Sequence, residues 1–293
     1  MSITATIPDR SRRELAIAWM NRGHGQLLLN NPTGDAAALA AYEQAGALLR
    51  PVPKDDAAWA NSLGAALMNY GQLLHRVHGL TQAARALAAF DEAGTTLQPL
   101  IGGENPWPRR NLAGTQLNRA NLLLDLKRFA EAAAAARGAL VLSAPTASVE
   151  LVDADLALKA RRALGDALGQ LLVAPGADQD ALAAEASDVV DEAMALIRQW
   201  AARDAGAFAD LAPRFFHYGT QLYRFHQPHF LPEFIAENAA LSGELRRLAR
   251  EAIATALNEP PRAGTYLTVG DPATERRLQT RRELEILRAQ LAS

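Results

Sequence analysis

The sequence predicts an all-α chain, a solenoid of about five antiparallel helix pairs closed by a C-terminal capping helix. Three recurrences predict it. Asn21, Asn69 and Asn118 return after 48 and 49 residues. Ala38, Ala86 and Ala132 return after 48 and 46, and Pro51, Pro99 and Pro145 after the same intervals. Each of these alanines is followed by a second one seven residues on (Ala45, Ala93, Ala139) and by its proline thirteen residues on. A period of this length marks a supersecondary unit that cannot bury its own apolar face and must stack on its neighbours.

Composition agrees with a folded helical array. Apolar residues make up 49% of 293, charged residues 21% and aromatics only 6%, so Ala and Leu must fill the core. Small side chains favour helices in close contact. The net charge of −2 argues against nucleic acid or an anionic membrane as the partner. Lysine occurs only at Lys54, Lys127 and Lys159, so nearly all positive charge is arginine, suited to surface ion pairs. The absence of cysteine excludes disulfides and thiolate zinc sites and fits a reducing compartment. Residues 1–10 carry no secretory signal pattern, and no apolar run approaches the roughly 18 residues a membrane span needs. A soluble cytoplasmic protein is expected.

Taken in order, Asp9 or Ser11 caps a first helix that carries Leu15, Trp19, Met20 and Leu27. The cluster Asn30-Asn31-Pro32-Thr33-Gly34-Asp35 turns the chain into a second helix, Ala36 to Arg50, stopped by Pro51. Asp55 or Asp56 caps the next helix, and Gly79-Leu80-Thr81 links it to one from about Gln82 to Gln98. The third pair turns at Leu126-Lys127-Arg128 and is closed by Pro145. A blurred fourth unit turns at 174–178, and a fifth begins at Phe215-Phe216-His217-Tyr218-Gly219 and resumes from Pro232 to Leu257. The predicted units are 9–53, 55–100, 108–146, 149–200 and 206–258, an array over 1–258. A linker at 259–272 precedes a capping helix at 273–293 that sets Leu284, Leu287 and Leu291 on one face.

Trp19-x3-Gly23, Ala38-x3-Tyr42 and Pro51, then Gly71, Ala86-x3-Phe90 and Pro99, then Ala120, Ala132, Ala139 and Pro145 together resemble the tetratricopeptide repeat. The resemblance implies a right-handed solenoid whose first helices line a concave groove. Two departures stand out. The family period is about 34 residues, whereas this chain repeats near 48, mostly through longer first helices. Arg22 and Arg119 also occupy positions where the family buries an apolar residue.

The resemblance further implies an asparagine ladder, Asn21, Asn69 and Asn118, that hydrogen-bonds the backbone of an extended peptide, since an amide offers both donor and acceptor. His24, Gln72 and Asn121 follow three residues on, on an adjoining face; with Arg22 and Arg119 they complete the expected contact set for a protein or peptide partner. Alternatively these amides cap loops or join neighbouring helices. His217, Tyr218 and Tyr223, within the aromatic stretch 214–230, form a second candidate patch for a partner. Three of the six histidines, His217, His226 and His229, lie there, but no carboxylate pair completes a metal motif. No phosphate loop, nucleophile elbow or zinc-protease motif is present. The expectation is a non-catalytic scaffold with no cofactor and no metal. An RNA-binding or regulatory repeat protein, and a metal-dependent enzyme using 214–230, are the alternatives.

Overall fold

The computed structural model describes residues 8–51, 56–174, 178–203, 205–258 and 272–292. Among them are twelve α-helices and no strand: α1 (Asp9–Leu27), α2 (Pro32–Leu49), α3 (Ala57–His78), α4 (Ala83–Leu97), α5 (Trp107–Asp125), α6 (Phe129–Ala147), α7 (Leu151–Leu171), α8 (Gln179–Ala201), α9 (Ala205–His226), α10 (Leu231–Ala239), α11 (Gly243–Asn258) and α12 (Pro272–Ala292). The all-α expectation holds. None of these helices is long and apolar enough to cross a membrane. Residues 259–271 of the predicted linker, Asp55 and the loop residues 175–177 lie outside the described residues. Two compact units, Met1–Ala167 and Leu168–Ser293, divide within α7.

In the first unit, local chemistry decides where helices start. The side chain of Asn31 accepts from the Gly34 amide at 2.8 Å, and Pro32 follows at the first helical position. Because Asn31 is the cap, α2 starts at Pro32 and not at Ala36. Asp56 caps α3 by accepting from the amides of Ala58 and Trp59 at 2.9 and 3.1 Å. Pro145 does not close α6, which runs on to Ala147. A proline this near a helix end removes one backbone bond, to the carbonyl of Val141, and that residue is exposed to water.

Successive helices of this unit pack on one another from α1 to α6, and α3 also packs on α1 and α5. The repeating alanines explain how. Ala38, Ala45, Ala86, Ala93, Ala132 and Ala139 are all buried. Between paired helices, a glycine of the first helix accepts an aromatic ring of the second. A Cβ on Gly23 would stand 2.9 Å from the Tyr42 ring, and one on Gly71 would stand 2.6 Å from that of Phe90. In α7, Ala154, Ala157, Ala160, Ala163 and Ala167 are buried at intervals of three or four residues, a single helical face.

The second unit repeats the device once: Phe234 of α10 fills the space beside Gly219 of α9. The helix expected from Pro232 to Leu257 is instead two, α10 and α11. Ser242 causes the break, since its hydroxyl accepts from the Leu245 amide at 3.1 Å and starts α11 afresh. α12 packs on α10 and α11 and buries Leu284 and Leu287. Arg250 donates to the Leu291 carbonyl at 2.7 Å and Arg281 to the Leu257 carbonyl at 3.1 Å. One contact moves up the chain as the other moves down, so α11 and α12 run antiparallel.

Candidate functional site

Two contacts define the seam between α3 and α5. Asn111 donates to Asn61 at 3.0 Å, and the His75 ring nitrogen lies 2.8 Å from an Asp125 carboxylate oxygen. Both partners advance by fourteen residues, so the helices run parallel with an offset of 50. Between these ends a Cβ on Gly114 would touch the Met68 sulfur at 2.9 Å, so Gly114 makes room for that side chain.

With that offset Asn69 lies level with Arg119 and Gln72 with Leu122, one residue away from Asn118 and Asn121 in each case. Asn69 and Asn118 are half-buried, Gln72 and Asn121 exposed. Among the described residues, neither Asn69 nor Asn118 has a side-chain hydrogen-bond partner. The four amides thus sit at neighbouring levels of two parallel helices.

The other predicted contact residues sit differently. Asn21 and His24 are exposed on α1, and no hydrogen bond joins them to those four amides among the described residues. Arg22 folds back over the Trp19 ring, 5.0 Å from its centre. Arg119 is engaged by Asp91 of α4 at 3.3 Å. Each arginine has an intramolecular role, which accounts for a charge where an apolar residue was expected.

Sequence reasoning missed the rule behind the Arg119 contact. The acid after the aromatic or aliphatic anchor of a second helix reaches the next first helix. Glu43 accepts from the Tyr70 hydroxyl at 3.2 Å, Asp91 pairs with Arg119, and Asp191 accepts from the Tyr223 hydroxyl at 3.4 Å. Burial and the Glu43 carboxylate push the Tyr70 hydroxyl above its usual range, with Arg85 opposing them. Glu92 instead reaches back to Arg50 at 2.9 Å, and Glu43 to Arg85 at 3.4 Å. Those pairs advance by seven residues on both sides, so α2 and α4 also run parallel. Such exposed pairs add about 0–1 kcal/mol each; they set register more than stability. The signal in the sequence is an acid that recurs with the unit, as Glu43, Asp91 and Asp191.

The stretch 214–230 is mostly core. Phe215, Phe216 and Tyr223 are buried, and Phe216 stacks on Phe234 with ring centres 5.7 Å apart. His217 and His229 are exposed and Tyr218 is half-buried, so His217, Tyr218 and Tyr223 do not present one aromatic face. The side chains of Phe225 and His226 lie outside the described residues. Among the described residues no three His, Asp or Glu side chains converge as a metal-ligand set.

No family model matches the chain, and no curated protein matches it. A solved structure described as "The hypoxic regulator of sterol synthesis Nro1 is a nuclear import adaptor" aligns with 93% of this chain and 93% of its own, at 12% identity and a TM-score of 0.33. That likeness is too slight to carry fold or role across.

Proposed function

We propose that the chain is a non-catalytic interaction scaffold of tetratricopeptide-like build, binding an extended peptide or partner protein along the seam of α3 and α5. The observation that carries this reading is that half-buried Asn69 and Asn118, neither with a side-chain partner, stand at neighbouring levels of the parallel helices α3 and α5, with Gln72 and Asn121 three residues on. A bound backbone would supply these amides with both a donor and an acceptor. The side-by-side parallel first helices support it as well, because they bring the amides to neighbouring levels. A chain of net charge −2, in which Arg22 lies over Trp19, Arg119 pairs with Asp91 and Arg109 with Asp153, gives the RNA-binding alternative no comparable support.

Peptides selected from a random display library on the full chain provide the test. Asn69→Ala with Asn118→Ala should lower their affinity by about tenfold or more, with the helical circular-dichroism signal unchanged. Selected peptides that bind the double variant as well as the parent would overturn the seam as the binding site.

A further inference from the structure

Outside the seam, the second unit holds a cleft of about 360 Å³ between α8, α9 and α10. Its chemistry follows from short sequence spacings. Glu233 and Glu237 are four residues apart on α10 and so share a helix face. Asp191 projects from α8 after the buried Val190, and its carboxylate accepts from the Tyr223 hydroxyl, which also lies 2.8 Å from the Ser187 hydroxyl. Phe230 sits at the rim, 44% exposed, with its ring 6.4 Å from that of Tyr223 in an edge-to-face arrangement.

An independent observation points to a ligand. Asn238, on the cleft wall, is 1% exposed. Its amide nitrogen donates to the Phe234 carbonyl at 2.8 Å, which fixes the orientation of the group and leaves Oδ1 buried without a partner. Buried acceptors are nearly always satisfied. The cleft is thus lined by acceptors in excess: three carboxylates, with the unpartnered Oδ1 of Asn238 buried in its wall, against the cation Arg198, which closes no ion pair with them among the described residues. Burial, with Asp188 and Glu237 nearby, holds the Asp191 carboxyl above its ordinary range, against the Tyr223 hydrogen bond and the charge of Arg198. Negative charge here is under-compensated. The acids do not converge as metal ligands, and the exposed aromatic edge is of no use to a bare metal ion.

We propose that this cleft binds an organic cation, a guanidinium or ammonium group, with N–H donors directed to Asp191, Glu237 and Oδ1 of Asn238 beside the Tyr223–Phe230 pair. Aromatic rings and carboxylates together are what such a cation needs: ring faces attract it once it is desolvated, and the carboxylates take its hydrogen bonds. The group arrives either on an arginine or lysine side chain of a polypeptide or as a free amine. None of its lining residues belongs to α3 or α5.

Calorimetric titration of the full chain at low salt tests this with three probes: agmatine, the peptide acetyl-Gly-Arg-Gly-amide, and the same peptide with neutral citrulline for arginine. Both cationic probes should saturate one site, and the citrulline peptide should not. Asp191→Asn and Glu237→Gln should each weaken binding by about tenfold or more, while Trp107→Phe, at an exposed residue of α5, leaves it unchanged. A tighter arginine peptide identifies a polypeptide source, tighter agmatine a free amine. No saturation up to about 10 mM (a threshold of about 3 kcal/mol in binding free energy), equal binding of the citrulline peptide, or indifference to both acid variants would overturn the proposal.

Discussion

The ring of Phe90 occupies the place where Gly71 would otherwise carry a Cβ, with Cε1 2.6 Å from that point. Phe90 is buried on every side and cannot swing away. Gly71→Ala therefore sets a helix-propensity gain of about 1 kcal/mol against an overpacking cost of about 1–3 kcal/mol, and the cost should win. The variant should unfold at lower denaturant concentration, and Phe90→Leu added to it should recover part of the loss. Gly25→Ala is the control: nothing lies within 4 Å of its would-be Cβ, so it should stabilise by up to about 1 kcal/mol.

Asp153 is fully buried and accepts from Arg109 at 2.8 Å, Arg110 at 3.0 Å and the Thr146 hydroxyl. Burial pushes its carboxyl up, but the hydrogen bonds from Arg110, Thr146 and Arg109 outweigh burial and hold it below its usual value. For a carboxyl lowered in this way, the stabilisation is complete above the unfolded value, near 4, and disappears as pH falls through the lower folded value. Asp153→Asn should cost about 3–5 kcal/mol at pH 7, by removing the carboxylate from Arg109, which keeps only the Leu142 carbonyl, and from Arg110, which keeps only Glu150 at 3.2 Å. It should also lack the loss of stability that the parent shows below about pH 4. Urea denaturation of both chains from pH 7 to pH 3 measures the difference.

What could be read from the sequence, and what could not, divides along physical lines. Ala38, Ala86 and Ala132 were legible because a helix spacing and a period both demand small residues at those points, and all three are buried. Gly71 and Phe90 were legible for the same reason, as a gap and its filler. The Asn61–Asn111 bond was hidden, because its offset of 50 differs from the repeat of 48 and is set by how α3 slides on α5. The cleft at Asn238 was hidden more deeply. Its walls come from three helices whose convergence no local pattern encodes, and Ser242, which splits α10 from α11, looked like any other helical serine.

The Asn61–Asn111 bond should be worth a coupling energy of about 0.5–1.5 kcal/mol between α3 and α5. Asn61→Ala and Asn111→Ala would each leave one amide open, and the double variant should be less destabilised than the sum of the two. A double-mutant cycle in urea reads this directly. A coupling near zero would show that water replaces the bond without loss and that Met68 against Gly114 alone sets the register of the seam.

Trp59 supplies the last prediction. Its indole nitrogen donates to the Leu49 carbonyl at 2.8 Å, in a buried setting. That carbonyl belongs to the final turn of α2, where no further helical amide follows to satisfy it. The first turn of α3 thus caps the end of α2. Trp59→Phe keeps most of the apolar contact but removes the donor, so it should cost about 1–3 kcal/mol. Trp107→Phe, at an exposed residue whose ring only supports Arg110, should fall within about 0.5 kcal/mol of the parent. Hydrogen exchange gives the sharper check: the indole N–H of Trp59 should exchange only on unfolding of the first unit, whereas that of Trp107 should exchange at once.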